Sequence, residues 1–142
     1  MRENHVKQIT ETFAAVAPIA DTAAALFYTK LFELDPSLRR LFRHDMTEQG
    51  RKLMAVLGMA VANARNPRAL KAPLGELAER HVGYGVKLAH FETVGAALLW
   101  TLDHALGERF DATTRQAWTT LYGEIVAIMA PHFERAPLQR AA

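Results

Sequence analysis

The stretch LGELAERHVGYGV, residues 74–86, decides how the chain is read. Leu74, Leu77 and Ala78 recur at helical spacing and mark an inward face. The next position on that face is His81, and Gly83 and Gly85 stop the helix just beyond it. A titratable ring that can ligate a metal thus sits at the inner end of an apolar stripe. Such a ring is either a core histidine satisfied by a local hydrogen bond, or it serves something held inside the fold.

Working outward, nearly every segment repeats with a helical period and none alternates as a strand. Val6, Ile9, Phe13 and Val16 outline a first helix before Pro18, and Ala24, Phe27, Tyr28 and Leu31 outline a second. Asp35–Pro36 opens a short third helix with proline at its first position. Leu53, Val56, Leu57, Ala60 and Val61 stripe a longer helix that starts near Asp45 to Thr47 and is broken at Asn66–Pro67. The His81 helix follows Pro73. Val94, Ala97, Leu98, Thr101, Leu102 and Ala105 then give a long helix stopped at Gly107. Asp111 caps the last one, striped by Trp118, Leu121, Tyr122, Ile125, Val126 and Met129. The pattern predicts an all-α domain of about seven to eight helices.

A chain of 142 residues, half of them hydrophobic, forms one domain with a sizeable core. The domain is placed at residues 1–136, with a disordered tail at 137–142. Seventeen basic residues against fifteen acidic ones, interspersed, make a solvated surface and no nucleic-acid footprint. The absence of cysteine excludes disulfides, thiolate ligands and cysteine nucleophiles together. Ser37 is the only serine, no HEXXH motif occurs, and no glycine-rich phosphate loop is present, which removes three common enzyme classes. The polar N-terminus lacks the apolar core of a signal peptide, and no apolar run approaches the ~20 residues that cross a bilayer. A cytoplasmic protein with no membrane association is expected.

Two further polar residues fall on inward faces. Gln49 continues the stripe of Leu53 by one turn, and Tyr28 lies beside Phe27. A buried Gln, Tyr or His must find partners or cost roughly 1–3 kcal/mol. Singly, each has an ordinary explanation as a capped or satisfied core residue.

Taken together, LFYTKLFELDPSLRRLF (26–42), QGRKL (49–53), ERHVGYGV (79–86) and AWTTLYG (117–123) resemble the globin family over roughly residues 4 to 134. The likeness is to single-domain bacterial globins of the flavohaemoglobin lineage, especially the Hell's Gate type. The resemblance implies a globin fold around haem b, with His81 as the proximal iron ligand. It implies that Phe42 wedges against the haem face, that Gln49 and Tyr28 are distal hydrogen-bond donors, and that Leu53 lies over the iron. Val56, Leu77, Val86, Phe91 and Val94 become haem contacts. Lys52, with Arg51, lies near the pocket mouth, where propionates would sit. The His81 Nδ1–H is expected to donate to the Leu77 carbonyl.

The sequence departs from the flavohaemoglobin pattern at Phe91, where that lineage usually has tyrosine, and near Phe133, where it has glutamate. Glu134 falls on another helical face. The resemblance therefore implies O2, NO and CO as ligands and a reversible O2-binding protein. The alternative is an NO dioxygenase served by a separate reductase, since the chain ends just after its last helix and no attached reductase is expected. A gas sensor is a third class. A monomer or weak homodimer is expected, and Tyr28, Gln49, Lys52 and His44 are the residues able to reach a sixth iron position.

Overall fold

The computed structural model describes residues 2–42 and 45–141, with side chains as far as Glu134. The helices in chain order are α1 (Glu3–Val16), α2 (Ala20–Leu34), α3 (Met46–Ala62), α4 (Lys71–Gly83), α5 (His90–Leu106) and α6 (Ala112–Ala141). No strand occurs among the described residues. Tight 3-10 turns link them at Ala17–Ile19, Pro36–Leu41, Pro67–Leu70 and Gly107–Arg109. The all-α expectation holds, with six α-helices where about seven to eight were expected. The short third helix is a 3-10 turn. Its proline head has no N–H to donate, and six residues are too few to settle into α turns.

Local chemistry sets the helix ends. Asp35 accepts from the Ser37 amide at 3.1 Å, Asp45 from the Thr47 amide at 2.9 Å, and Asp111 from the Thr114 amide at 2.8 Å. α4 starts earlier than the sequence suggested, at Lys71, so Pro73 lies within its first turn, where proline is tolerated. Gly85 then takes φ +92°, a conformation costly for any other residue, and turns the chain out of the His81 helix.

α6 packs against α1 and α4, while α2 packs against α5 and α3. Trp118 is fully buried and its indole Nε1–H donates to Thr12 Oγ1 at 2.9 Å, tying α6 to α1 through the core. Thr114 Oγ1 donates to Gln8 Oε1 at 2.9 Å one turn away. The run Glu3–Leu34 is long and apolar enough to cross a membrane by composition alone. Its Val6, Ile9, Ala23, Phe27 and Leu31 are instead buried in this core.

Two glycines allow close helix contacts. A Cβ at Gly50 would lie 2.8 Å from Ala24 Cβ, so α2 and α3 meet backbone to side chain there. A Cβ at Gly95 would lie 2.7 Å from Cε2 of Tyr122, whose hydroxyl donates to the Phe91 carbonyl at 2.6 Å and so cannot swing away.

Helix propensity alone favours Gly95→Ala by about 0.5–1 kcal/mol. The clash with a hydrogen-bonded ring opposes it by about 1–3 kcal/mol, so the substitution is expected to lower Tm. Thermal unfolding checks this, and Gly95→Ala in a Tyr122→Leu background should lose most of the penalty. The Asp111 carboxyl is held below its usual range first by the Thr114 amide bond. A lowered folded pKa means that its cap stabilises above the ordinary carboxyl range and is lost as pH falls through the folded value. Asp111→Ala should therefore reduce Tm at pH 7 and make little difference in strong acid.

Candidate functional site

His81 lies near the C-terminal end of α4, one turn after Leu77, and its Nδ1–H donates to the Leu77 carbonyl at 2.8 Å. A carbonyl only accepts, so this contact fixes the tautomer and leaves a lone pair on Nε2. Burial pushes the His81 pKa below its usual value, with Arg80 adding to the shift and the Leu77 bond opposing it. The ring is therefore neutral at neutral pH. Nε2 has no protein partner among the described residues. On the face of α4 turned to α6, a Cβ at Gly75 would lie 3.1 Å from Nε2 of His132, and His132 Nδ1 lies 2.7 Å from Glu79 Oε1. The helix that carries His81 is thus seated on α6 through Gly75 and Glu79.

His81 lines a cavity of about 320 Å³ with Leu41, Phe42, Met46, Gln49, Lys52, Gly83, Tyr84 and Val86. Five of these (Phe42, Gln49, Lys52, His81 and Val86) are residues that the sequence reading named. Beside it, Tyr28 is buried on α2 with its ring edge-on to Phe27 at 4.9 Å and to Phe42 at 5.3 Å. Burial pushes its hydroxyl up to about 12, and the nearby Gln49 side chain pulls the other way. The hydroxyl therefore keeps its proton across the ordinary pH range. Gly50, pressed on Ala24, lets α2 and α3 approach closely next to Gln49.

The remaining named residues are half-buried, in contrast to the fully buried core around them. Leu53, Val56, Leu77, Phe91 and Val94 are all of this kind. Leu53 also lines a small inner void with Phe27, Leu57 and Leu98. The Phe91 ring meets Phe133 edge-on at 5.0 Å. Lys52 stands 3.9 Å from Glu48 at the rim, whereas Arg51 faces Asp21 of α2 at 3.7 Å. Glu134 is exposed. His44 lies outside the described residues.

Three cavity residues had not been singled out, Leu41, Met46 and Tyr84, while Gly83 had been read only as part of the stop after His81. Met46 was within reach, since it precedes Gln49 by three residues and so shares its helix face. Tyr84 is 63% exposed at the cavity mouth and follows no stripe, so periodicity gave no sign of it.

The donor set tests what the cavity fits. No group of three or more His, Asp or Glu side chains gathers to hold a metal among the described residues. A lone neutral imidazole in a cavity walled by Leu41, Phe42, Met46 and Val86, with Gln49 and Lys52 as its polar groups, fits a metal that arrives with its other ligands, as in a macrocycle.

The globin family profile matches residues 25–129. Neuroglobin of Tetraodon nigroviridis is 33% identical over 74% of this chain and 75% of its own. Neuroglobin of Dissostichus mawsoni is 34% identical over the same shares. Among solved structures, RmaNOD of Rhodothermus marinus, an engineered carbene transferase, matches 100% of this chain and 99% of its own with a TM-score of 0.89 at 23% identity. A bacterial globin of Campylobacter jejuni matches 94% of this chain and 97% of its own with a TM-score of 0.83 at 24% identity. These two show the fold. The family match spans every residue lining the His81 cavity, Leu41 to Val86, and the chain belongs to the globin family, whose members bind small gases at haem.

Proposed function

We propose that this globin holds haem b on His81 and binds O2 reversibly, with Tyr28 and Gln49 as donors to the ligand. The observation that carries the reading is the His81–Leu77 bond, which turns Nε2 of His81 to a cavity it shares with Gln49, with Tyr28 buried beside that cavity. Without cysteine no thioether link to the chain is available, which supports non-covalent haem b. Held by His81, haem would supply a ferrous iron able to take a diatomic gas.

The chain's own residues do the rest. The Leu77 carbonyl orients the His81 ring, and Phe42, Val86 and the half-buried apolar residues keep water from the site. A ligand that gains negative charge on binding, as O2 does, is stabilised by a protonated Tyr28 hydroxyl and the Gln49 amide. CO gains little charge and benefits less. Each such bond is worth about 1–3 kcal/mol.

The alternative is conversion of NO and O2 to nitrate with a separate reductase, and RmaNOD is provisionally described as a nitric oxide dioxygenase. It would use the same two donors. The proximal side favours the carrier: His81 donates to a neutral carbonyl, and Phe91 and Phe133 present only hydrocarbon rings. A carbonyl makes the imidazole less electron-donating than a carboxylate partner would, and the hydrocarbon rings add nothing. We place the protein with the flavohaemoglobin-lineage globins on Tyr28 and Gln49, as a cytoplasmic monomer or weak homodimer.

Haemin titration of the chain should give a Soret band saturating at one equivalent. His81→Gly should lose the five-coordinate ferrous spectrum and regain it with added imidazole; retention of that spectrum without imidazole removes His81 from the site. Stopped-flow mixing should show O2 leaving Tyr28→Phe about tenfold faster or more, with CO release little changed. Sustained nitrate formation with a physiological reductant, at a rate that exceeds O2 release, would select the enzyme over the carrier.

A further inference from the structure

Met46 is the first residue of α3, and the Asp45 cap on the Thr47 amide fixes the turn that carries it. It lies one helical turn before Gln49, with which it lines the His81 cavity. Its half-buried side chain also lines a second cavity of about 380 Å³, shared with Tyr28, Thr29 and Phe32 of α2. Open space therefore reaches this thioether from two directions. The other described methionines are packed differently. Met129 is buried, and Met54 and Met59 lie against the core, with Met54 at a void of about 20 Å³.

A thioether is close to apolar and accepts a hydrogen bond weakly, whereas its sulfoxide is polar and offers an oxygen acceptor. The groups that share the two cavities with Met46 are donors. Burial keeps the Tyr28 hydroxyl protonated, and the Gln49 amide carries two N–H groups. The charged groups nearby are engaged elsewhere: Lys52 stands 3.9 Å from Glu48, Asp21 faces Arg51 at 3.7 Å, and the Arg39 guanidinium lies over the Phe32 ring at 5.2 Å. An acceptor created at Met46 thus meets the two donors assigned to the gas ligand. Three rotatable bonds let the side chain bring it to them.

Resting on the haem reading above, we propose that Met46 is an oxidation switch on ligand retention. Hydrogen peroxide converts its thioether to the sulfoxide, whose oxygen draws the Tyr28 and Gln49 donors from the gas ligand. In the step a sulfur lone pair attacks one peroxide oxygen, the O–O bond breaks and an S–O bond forms. Sulfur loses two electrons, peroxide gains them, and its second oxygen leaves as water with both protons. Methionine sulfoxide reductases reverse the change. O2, which depends on the donors, leaves faster, while CO hardly responds.

The test treats the haem-loaded ferrous protein with hydrogen peroxide under CO, which keeps the oxidant from the iron, and then exchanges CO for O2. Trypsin releases Met46 in residues 44–51, apart from Met54 and Met59 in 53–65 and Met129 in 116–135, so mass spectrometry follows them separately. Met46 is expected to gain one oxygen several-fold faster than the others. O2 release should rise several-fold in step, with CO release unchanged, and reductase treatment should restore both mass and rate. Met46→Leu, compared with its own untreated rate, should not respond to peroxide. Met46→Gln sets a side-chain carbonyl there without oxidant and should release O2 faster than Met46→Leu. Oxidation of Met46 no faster than that of Met54 or Met59 overturns the switch, as does complete Met46 oxidation with O2 release unchanged. A peroxide response that persists in Met46→Leu belongs to another residue and overturns it as well. Each of these leaves the haem reading intact. A parent protein with no Soret band removes both readings together.

Discussion

Committing one ring nitrogen of His81 to the Leu77 carbonyl is the constraint from which the rest of the pocket follows. It fixes the tautomer, and burial keeps the ring neutral, so the second nitrogen presents a lone pair to the cavity. The position of α4 then matters more than its length. Gly75 admits the His132 ring against the helix, and Glu79 meets that ring one turn further on. Gly85 turns the chain away where a continuing helix would close the cavity.

The distal side depends on a different contact, the meeting of Gly50 with Ala24. Tyr28 and Gln49 belong to separate helices, and each alone would be a polar group in an apolar face. They stand near one another because α2 and α3 approach more closely than two larger side chains would allow. Aromatic contacts from Phe27, Phe32 and Phe42 hold the Tyr28 ring in place, so little freedom of that ring remains to be lost.

Much of this was legible because it is local. The apolar stripes, the Asp35, Asp45 and Asp111 caps, the Gly107 stop and the i,i+4 relation of Leu77 to His81 all lie within a few residues, where helical period and side-chain chemistry decide. The short third helix became a 3-10 turn because spacing alone does not separate one tight turn from another. The pairing of Glu79 with His132 joins residues 53 apart in sequence, and nothing near either residue announces the other. Tyr122 read simply as a core ring, yet its hydroxyl reaches the Phe91 carbonyl and its ring occupies the space that Gly95 leaves. Arg51 was placed at the pocket mouth with its neighbour Lys52; successive helical residues point about 100° apart, and it turns to Asp21.

Proximal and distal sides together say what kind of gas chemistry the site favours. On one side the His81 ring donates to a neutral carbonyl, whose pull on the imidazole is weaker than a carboxylate's. On the other, Tyr28 and Gln49 come from separate helices, and Gly50 lets α2 and α3 approach as far as the Ala24 side chain allows. A larger residue at position 50 would meet the Ala24 Cβ and force the two helices apart, so one packing contact sets how near these two polar side chains stand.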